Sequence, residues 1–474
     1  MWKTRTKKLA SMLLTLLMAV TLLSGTAFAE EKTAETAQEL KDAIADGNTI
    51  TLTANIDLGA EGITIPAGEK VTLKLNGHSL TSTGEDTISV KGTLIVEGEG
   101  SVTSTGDGKG ALVNYPGGEV ELKGGSYNAE EWYTLKNMGN MSIYSGVTVK
   151  AETDGSSLIA NGWYGGNGDN DRDTEYCANE AILHIYGGHF SGGMNTVKND
   201  DNGVLFIEDG TFENTKDPTI LNWNEAEISG GDFSVPSGPV LAYGHLDKPQ
   251  DKGEFVIKGG TFTSGNGGTE GLFGYGAETT PGGKIEVLDG EFNGLLGEQS
   301  NYFSPVTISK GSFNSQVDSS LIEGGKTSAS LTSDGDTTFY IGSADEVAET
   351  MMAKAQKGDT ITVLQGDLQL KDIIPGVTVK NPGAGNVVVN DTQVEANGSI
   401  TTEKPAEPVK PEKPVRDPDE GKEFGKVEVG GSSTDADTDK ENPGTGDNSY
   451  VALAMAALLA SGVCVVLSQK RKHA

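Results

Sequence analysis

The sequence has 474 residues, a formal net charge of −32 at pH 7 and 66 glycines, twice the usual glycine content of about 7%. The negative charge argues against nucleic acid as a partner, because a phosphate backbone requires basic side chains, and it suits a soluble surface or one that collects divalent cations. A disulfide scaffold is excluded because the only cysteines are Cys177 and Cys464.

Residues 1–29 have the pattern of a secretory signal peptide. Basic residues precede an apolar run from Leu9 to Leu23, and the small residues Ala27 and Ala29 form a cleavage site before Glu30. A membrane anchor is the alternative, but the apolar run is short for one. We therefore expect the chain to be secreted.

The mature chain begins with a segment that recurs near the C-terminus. "AQELKDAIADGNTITLTANIDL" and, from Ala344 to Leu370, "ADEVAETMMAKAQKGDTITVLQGDLQL" share a helical stretch, a Gly-Asp/Asn-Thr-Ile-Thr strand and a following strand. The repetition predicts two copies of one small helix-and-strand unit, one near each end of the folded region.

Between these copies the chain repeats a phrase such as "EFVIKGGTFTSG". Each copy has an aromatic residue, and several successive copies are 21 or 22 residues apart. The aromatic residues are Tyr127, Phe190, Phe212, Phe233, Phe262, Phe292 and Phe313. The gap of 63 residues after Tyr127 equals three periods, and a degenerate copy places Thr148 at the first missing aromatic position. A period of 21 with occasional insertions indicates a solenoid.

Within each copy, apolar residues alternate with mostly polar ones. Aliphatic residues such as Ile207, Ile228 and Ile257 stand five positions before the aromatic residue. The alternation predicts a strand with one buried face. A glycine always stands two positions before the aromatic position, which suits a corner with positive φ. The predicted order is strand, glycine corner and inward aromatic residue.

A second strand in each unit ends in asparagine, as in "ALVN", "TLKN", "SLIAN", "TVKN" and "TILN". These residues are Asn114, Asn137, Asn161, Asn199 and Asn222. Stacked amides can donate and accept hydrogen bonds along one axis, so we predict an asparagine ladder inside a turn. Ordinary turn asparagines are the alternative.

The repeat resembles the right-handed parallel β-helix of the pectate-lyase-like superfamily, an all-β fold with about 21 residues per coil here. The resemblance implies a β-helix over residues 30–342 with an N-terminal capping helix. We interpret residues 343–400 as a small α+β module that closes the C-terminal end, or alternatively as an independent domain. Enzymes of this superfamily use either acidic calcium ligands with an arginine base or clustered aspartates for hydrolysis. Arg172 is the only arginine between residue 30 and the linker, so it is the only candidate for such a base there.

An acidic insertion holds the densest set of candidate ligands. Asp169, Asp171, Asp173 and Glu180 occupy positions 1, 3, 5 and 12 of a calcium-loop pattern. Thr174 stands where that loop requires glycine. A calcium site, a solvated acidic loop and a catalytic site using Arg172 are the alternatives, and no cofactor is required.

The remaining candidate binding residues are two histidines and a set of aromatic residues outside the regular repeat. His184 and His189 are predicted to be surface histidines without a carboxylate partner. The aromatic residues form a carbohydrate groove or pack loops on the solenoid; they are Trp132, Trp163, Tyr164, Trp223, Tyr243, Tyr275 and Tyr302. "KNDDNG" contributes the neighbouring carboxylates Asp200 and Asp201.

The C-terminal part of the chain has the pattern of a cell-surface anchor. Residues 401–441 are interpreted as an extended, Pro-rich acidic linker, in which Pro405, Pro408, Pro411 and Pro414 stand at intervals of three. Residues 442–474 hold the motif "NPGTG", an apolar stretch over 450–467 long enough to cross a membrane, and a basic cluster.

This arrangement resembles the sorting signal of Gram-positive cell-wall proteins, whose motif is Leu-Pro-x-Thr-Gly. The motif residues here are Asn442, Pro443, Gly444, Thr445 and Gly446, so Asn442 replaces the leucine. The resemblance implies that a sortase cleaves after Thr445 and transfers it to peptidoglycan. A plain membrane anchor is the alternative.

These patterns predict a surface protein anchored to the cell wall that binds carbohydrate or another surface ligand. A polysaccharide lyase or glycoside hydrolase on the same scaffold is the first alternative, and a passive surface spacer is the second. An enzyme should bring at least three charged side chains together in one outward cleft, whereas a spacer should have neither a cleft nor an aromatic platform.

Overall fold

Three sheets account for most of the strands in the computed structural model. The structure describes residues 30–403 apart from residues 46–47, 152–153, 164–175, 177–178, 216–217, 244–252, 266–270, 276–282, 297–305 and 384. The chain divides into two units, Met1–Ala406 and Glu407–Ala474, and every described residue belongs to the first.

Each sheet collects strands from successive coils. Sheet A has twelve strands: Glu31–Ala34, Thr49–Leu52, Lys70–Lys74, Thr93–Glu97, Glu119–Leu122, Asn140–Ile143, Ala181–Ile185, Gly203–Ile207, Glu225–Ile228, Glu254–Ile257, Lys284–Val287 and Val306–Ile308. Sheet C has nine: Ile63–Ile65, Ile88–Val90, Leu112–Asn114, Leu135–Asn137, Ile159–Asn161, Val197–Asn199, Ile220–Asn222, Leu241–Tyr243 and Phe273–Tyr275.

Sheet B has sixteen strands, of which eleven belong to the coils: Ile56–Asp57, His78–Ser82, Gly100–Ser104, Gly125–Ala129, Val147–Lys150, His189–Ser191, Thr211–Glu213, Asp232–Val235, Thr261–Ser264, Glu291–Asn293 and Gly311–Phe313. The other five continue the sheet beyond the coils: Asp336–Gly342, Thr327–Ser333, Thr360–Gln365, Thr378–Asn381 and Gly398–Thr401. A separate three-stranded sheet contains Leu368–Leu370, Val387–Val389 and Thr392–Val394.

The chain passes through sheets A, B and C in turn, and strands of successive coils pair in parallel, as in Gly203–Ile207 with Glu225–Ile228. The fold is therefore a parallel β-helix, as predicted, with three strands in a full coil. The inward aromatic residue lies on a strand of its own in sheet B, because the preceding glycine turns the chain there. At Gly260, φ is 107° and an added Cβ would lie 3.0 Å from the carbonyl oxygen of Gly231.

The core consists of side chains stacked in register from coil to coil. Ile207 pairs with Ile228 and Ile228 with Ile257, and all three are buried. Six phenylalanines from Phe190 to Phe313 form a continuous internal stack in sheet B, with centroids of successive rings 4.6 to 5.1 Å apart. The predicted internal columns are confirmed.

One position in the repeat differs from the prediction. Val149, and not Thr148, lies in the internal column, where it pairs with Tyr127 on one side and Phe190 on the other. Only one coil therefore separates the two aromatic residues, and the rest of the gap is an insertion after sheet C. Consistent with the shifted register, Gly146 is not among the glycines with positive φ.

The asparagine ladder is confirmed. Each Nδ2 atom donates to the Oδ1 atom of the next asparagine, at 2.8 Å from Asn114 to Asn137, 2.7 Å from Asn137 to Asn161, and 2.8 Å from Asn161 to Asn199 and from Asn199 to Asn222. The Oδ1 atom of Asn114 is buried without a hydrogen bond. As the first member of the ladder, Asn114 has no preceding asparagine that donates to this atom. At Asn137 and Asn222 the atom also accepts an N–H from two residues later, from Gly139 and Asn224, but after Asn114 that residue is Pro116, which has no N–H.

Helices stand at both ends of the coils. Helix α1 (Ala37–Ala45) buries Leu40, Ala43 and Ile44, which join the core of the β-helix. Helix α2 (Ala344–Lys354) begins with a capping box between Ser343 and Glu346 and packs on a second core. Both helices are followed by two strands in the same order, as the recurring segment predicts.

A hairpin connects the last coil to this second core. Asp336–Gly342 pairs antiparallel with Gly311–Phe313, and its partner Thr327–Ser333 pairs antiparallel with Thr360–Gln365. Ile341 joins the core of the β-helix, whereas Ala329 and Leu331 join the second core. Sheet B is therefore continuous from the coils into the C-terminal module.

Candidate functional site

Two lysines project from the outer face of sheet C. Lys136 and Lys198 are the central residues of Leu135–Asn137 and Val197–Asn199, so their side chains point away from the buried residues on either side. They lie two coils apart in one column, with Ala160 between them. The small alanine leaves room for both long side chains on the same part of the sheet.

Asp200 joins the two lysines. Its Oδ2 atom accepts a hydrogen bond from Nζ of Lys136 at 3.2 Å. Nζ of Lys198 lies 2.9 Å from Oδ1 and forms a second ion pair with the same carboxylate. Asp200 is fully buried and Lys136 is 1% exposed. Such buried charges are stable only because they compensate one another.

Aromatic rings enclose the two ammonium groups. Nζ of Lys136 lies 4.7 Å from the ring centroid of Tyr133 and 5.1 Å from that of Trp163, and Nζ of Lys198 lies 3.8 Å from that of Trp223. These are cation–π distances. We call these six residues the lysine–aspartate–aromatic cluster: Tyr133, Lys136, Trp163, Lys198, Asp200 and Trp223.

The acidic insertion is tied to this cluster at both of its described ends. The backbone N–H of Trp163 donates to Oδ1 of Asn202 at 2.8 Å, and Nδ2 of Asn202 donates to the carbonyl oxygens of Tyr176 and Asn179. The rings of Trp163 and Tyr176 have centroids 4.8 Å apart. One asparagine side chain therefore positions both sides of the insertion beside sheet C.

Burial, followed by the negative charge of Asp200, raises the pKa of Tyr133 to about 12, although a hydrogen bond with Ser156 opposes the shift. The pKa of tyrosine in the unfolded state is about 10. The folded state therefore keeps this proton between pH 10 and 12 while the unfolded state loses it, and stability falls as the pH rises through that range. We expect Tyr133→Phe to weaken this fall, as measured by urea unfolding at pH 9, 10.5 and 11.5. If the free energy of unfolding depends on pH equally in both proteins, the raised pKa of Tyr133 is contradicted.

The predicted calcium ligands Asp169, Asp171 and Asp173 lie outside the described residues, and Glu180 is exposed at the end of the insertion. Among the residues that the structure does describe, no three His, Cys, Asp or Glu side chains are grouped as metal ligands. The calcium site stays a prediction.

The predicted signal and anchor residues also lie outside the described part of the chain. They are Ala27, Ala29, the motif Asn442, Pro443, Gly444, Thr445 and Gly446, and the apolar stretch 450–467. No helix within the described ranges is long and apolar enough to cross a membrane.

Of the aromatic residues predicted to form a groove, the structure brings Trp163 and Trp223 to the cluster. Trp132 lies beside it, with its ring centroid 5.0 Å from that of Tyr133. Tyr243 is fully buried, because it pairs with Asn222 and occupies the internal position of the asparagine column. Of the two alternatives given for these residues, an exposed groove is therefore excluded for Tyr243. Tyr164 and Tyr302 are not described, and of Tyr275 only the strand is.

The expectation that His184 has no carboxylate partner was also wrong. Its Nε2 atom lies 2.9 Å from Oε1 of Glu208, which belongs to the next coil. His184 lies on sheet A, whereas His189 is exposed on sheet B. The structure therefore gives the two histidines different neighbours.

A second group of rings lies on the outer face of sheet A. His184 stacks on Tyr186 with centroids 3.9 Å apart, and Tyr186 stacks on Tyr144 of the preceding coil at 5.0 Å. His184 also contacts Phe206 of the next coil, with centroids 5.6 Å apart. We call these four residues, all partly exposed, the aromatic strip. Sequence reasoning missed it, although a phenylalanine at the outward position of Phe206 was a visible signal.

Searches against protein-family models, curated proteins and solved structures find no match for this chain.

Proposed function

We propose that this chain is an extracellular surface protein, anchored to the cell wall, that binds carbohydrate through the lysine–aspartate–aromatic cluster. The observation that carries the proposal is the convergence of two lysines, one carboxylate and three rings on one outer face of sheet C. The export signal and sorting-like motif of the sequence support the location, with sortase and peptidoglycan as partners.

Carbohydrate suits this face because sugars combine apolar C–H surfaces with many hydroxyl groups. Trp163 and Trp223 are partly exposed indoles next to charged groups. Binding sites commonly combine apolar and aromatic surface with a few well-placed polar groups. The buried ion pairs hold the two lysines against the indoles of Trp163 and Trp223, so these partly exposed rings are in place before a ligand arrives, which lowers the entropic cost of binding.

A polysaccharide lyase or glycoside hydrolase is the second candidate. Lys136 and Lys198, two coils apart, and Asp200, directly after the strand of Lys198, bring three charged side chains together, which is one part of the arrangement expected of an enzyme. Their mutual pairing and the burial of Asp200 favour a positioning role in binding over proton transfer. A passive spacer would need no such cluster.

The test measures glycan binding of the purified protein on a glycan array, with and without calcium. We expect Trp223→Leu to weaken binding at least about tenfold, equal to ~1.4 kcal/mol, because it removes the indole next to Lys198. Tyr340→Leu is the matched control, since Tyr340 also lies under a lysine, with Nζ of Lys354 5.8 Å from its ring, but belongs to the C-terminal module. Equal binding by the two variants, or polysaccharide cleavage by the unaltered protein, would contradict the binding proposal.

A further inference from the structure

The aromatic strip interrupts a surface of ion pairs on sheet A. On its N-terminal side Lys74 pairs with Glu31 at 3.3 Å, and Lys123 pairs with Glu121 at 2.9 Å. On its C-terminal side Lys258 pairs with Glu227. Between these pairs the outward positions carry the rings of the strip, the partly exposed side chain of Ile182 and that of Val204, which is only 7% exposed. A partly exposed apolar patch with a polar rim is typical of a binding surface.

The strip is rigid and extended. Its rings come from three successive coils, so it runs along the β-helix for about 10 Å at a coil spacing of ~4.8 Å. His184 and Phe206 lie on strands of the continuous parallel sheet, and Tyr144 and Tyr186 directly follow strands of it. The hydrogen bond to Glu208 orients His184. A ligand on this surface would not need to order a loop, which lowers the cost of binding.

The polar groups of the strip are suited to hydroxyl groups. Both Tyr144 and Tyr186 are protonated at neutral pH and can donate a hydrogen bond, since the ordinary pKa of tyrosine is about 10. Burial raises the pKa of each, and nearby carboxylates add to the shift. Glu121 and Glu208 supply acceptors at the edges. The positive charge of Lys123 is compensated by Glu121 and, at 3.9 Å, by Glu97.

We propose that the aromatic strip is a second binding site, which takes an uncharged glycan chain lying along the axis of the β-helix. It lies on sheet A and does not depend on the cluster on sheet C. The rings and aliphatic side chains contact the C–H surfaces of the sugar, and the phenols and carboxylates bind its hydroxyl groups.

The charges argue against other occupants. An acidic glycan would approach the carboxylates of Glu121, Glu208 and Glu227, and the lysines beside them are already paired. A second copy of this chain carries the same net charge of −32 as the first. Repulsion between like charges disfavours both of these ligands.

The test uses the purified protein with soluble uncharged glucan, mannan and xylan, and with polygalacturonate. We expect at least one uncharged glycan to bind, and Tyr186→Ser to weaken that binding at least about tenfold. Leu288→Ser is the matched control and should bind as the unaltered protein does. Leu288 occupies the same position of a later repeat and is 39% exposed, but it lies outside the strip.

Trp223→Leu separates this proposal from the cluster on sheet C. In that variant, binding that still depends on Tyr186 supports the strip even if the cluster proposal fails. The strip proposal is overturned by a Tyr186→Ser variant that melts at a lower temperature but binds normally, because the stack would then be structural only. Preference for polygalacturonate, no binding of any uncharged glycan, or a dimer that Tyr186→Ser dissociates would also overturn it.

Discussion

Replacing Asp200 by asparagine is expected to lower the free energy of unfolding by about 3–5 kcal/mol, because the change leaves two ammonium groups at a buried site without their carboxylate. Asparagine has nearly the same shape as aspartate, so the loss would report charge and not volume. Lys136 would be affected most, since it is 1% exposed and 3.2 Å from Oδ2. Urea unfolding of the purified protein at pH 7 measures the change.

Two further variants make this result specific. Asp232→Asn removes an exposed carboxylate from the outer face of sheet B and should change stability by less than ~0.5 kcal/mol. Adding Lys136→Met to Asp200→Asn should recover part of the loss, because one uncompensated charge is then replaced by an apolar chain of similar length. If Asp200→Asn is as stable as Asp232→Asn, the ion pairs of Asp200 do not stabilise the folded protein.

Replacing Asn161 by alanine is expected to cost about 3 kcal/mol or more. Its Nδ2 atom donates to Oδ1 of Asn199 at 2.8 Å and to the carbonyl oxygens of Ala181 and Val204 at 3.1 Å, and its Oδ1 atom accepts from Asn137. Asn161 is fully buried, so water cannot replace these bonds. Each buried polar group left unpaired costs about 1–3 kcal/mol.

Thermal and urea unfolding of Asn161→Ala measure this cost against Asn128→Ala. Asn128 lies on the outer face of sheet B and is partly exposed. Its replacement should have an effect within about 0.5 kcal/mol. Hydrogen exchange should also show faster exchange at the backbone amides of the coils that Asn161 connects, since the ladder joins neighbouring turns. A loss of stability no greater than that of Asn128→Ala would show that the ladder is not a stabilising element.

The interior of the β-helix was predictable because inward positions repeat with the coil. The positions of Ile207 and Ile228 are buried and therefore require apolar residues, and the buried position of Asn161 requires an amide that continues the ladder. These requirements hold whatever the sequence of the neighbouring loops. A 21-residue period is therefore readable wherever the loops are short. The period misleads after Tyr127, where an insertion makes the gap a multiple of 21 and so points to Thr148, although Val149 lies in the internal column.

The outer faces were harder to predict, because residues that meet there are far apart in the chain. Lys136 and Asp200 are 64 residues apart, and their contact depends on the number of coils between them. The lysines of "TLKN" and "TVKN" were visible at the same repeat position, but the length of the insertion hid their proximity. Glu208 was missed beside His184 for the same reason, since only the strand register places one next to the other.

The antiparallel strand on the last coil of sheet B has a consequence for neighbouring molecules. Unpaired backbone groups at the end of a β-helix can accept a strand from another chain, and repeated addition would produce fibres. Asp336–Gly342 occupies the edge of Gly311–Phe313 in the opposite direction, so a parallel coil from another copy has no partner there. Many copies can then be crowded at high density without polymerising through this edge.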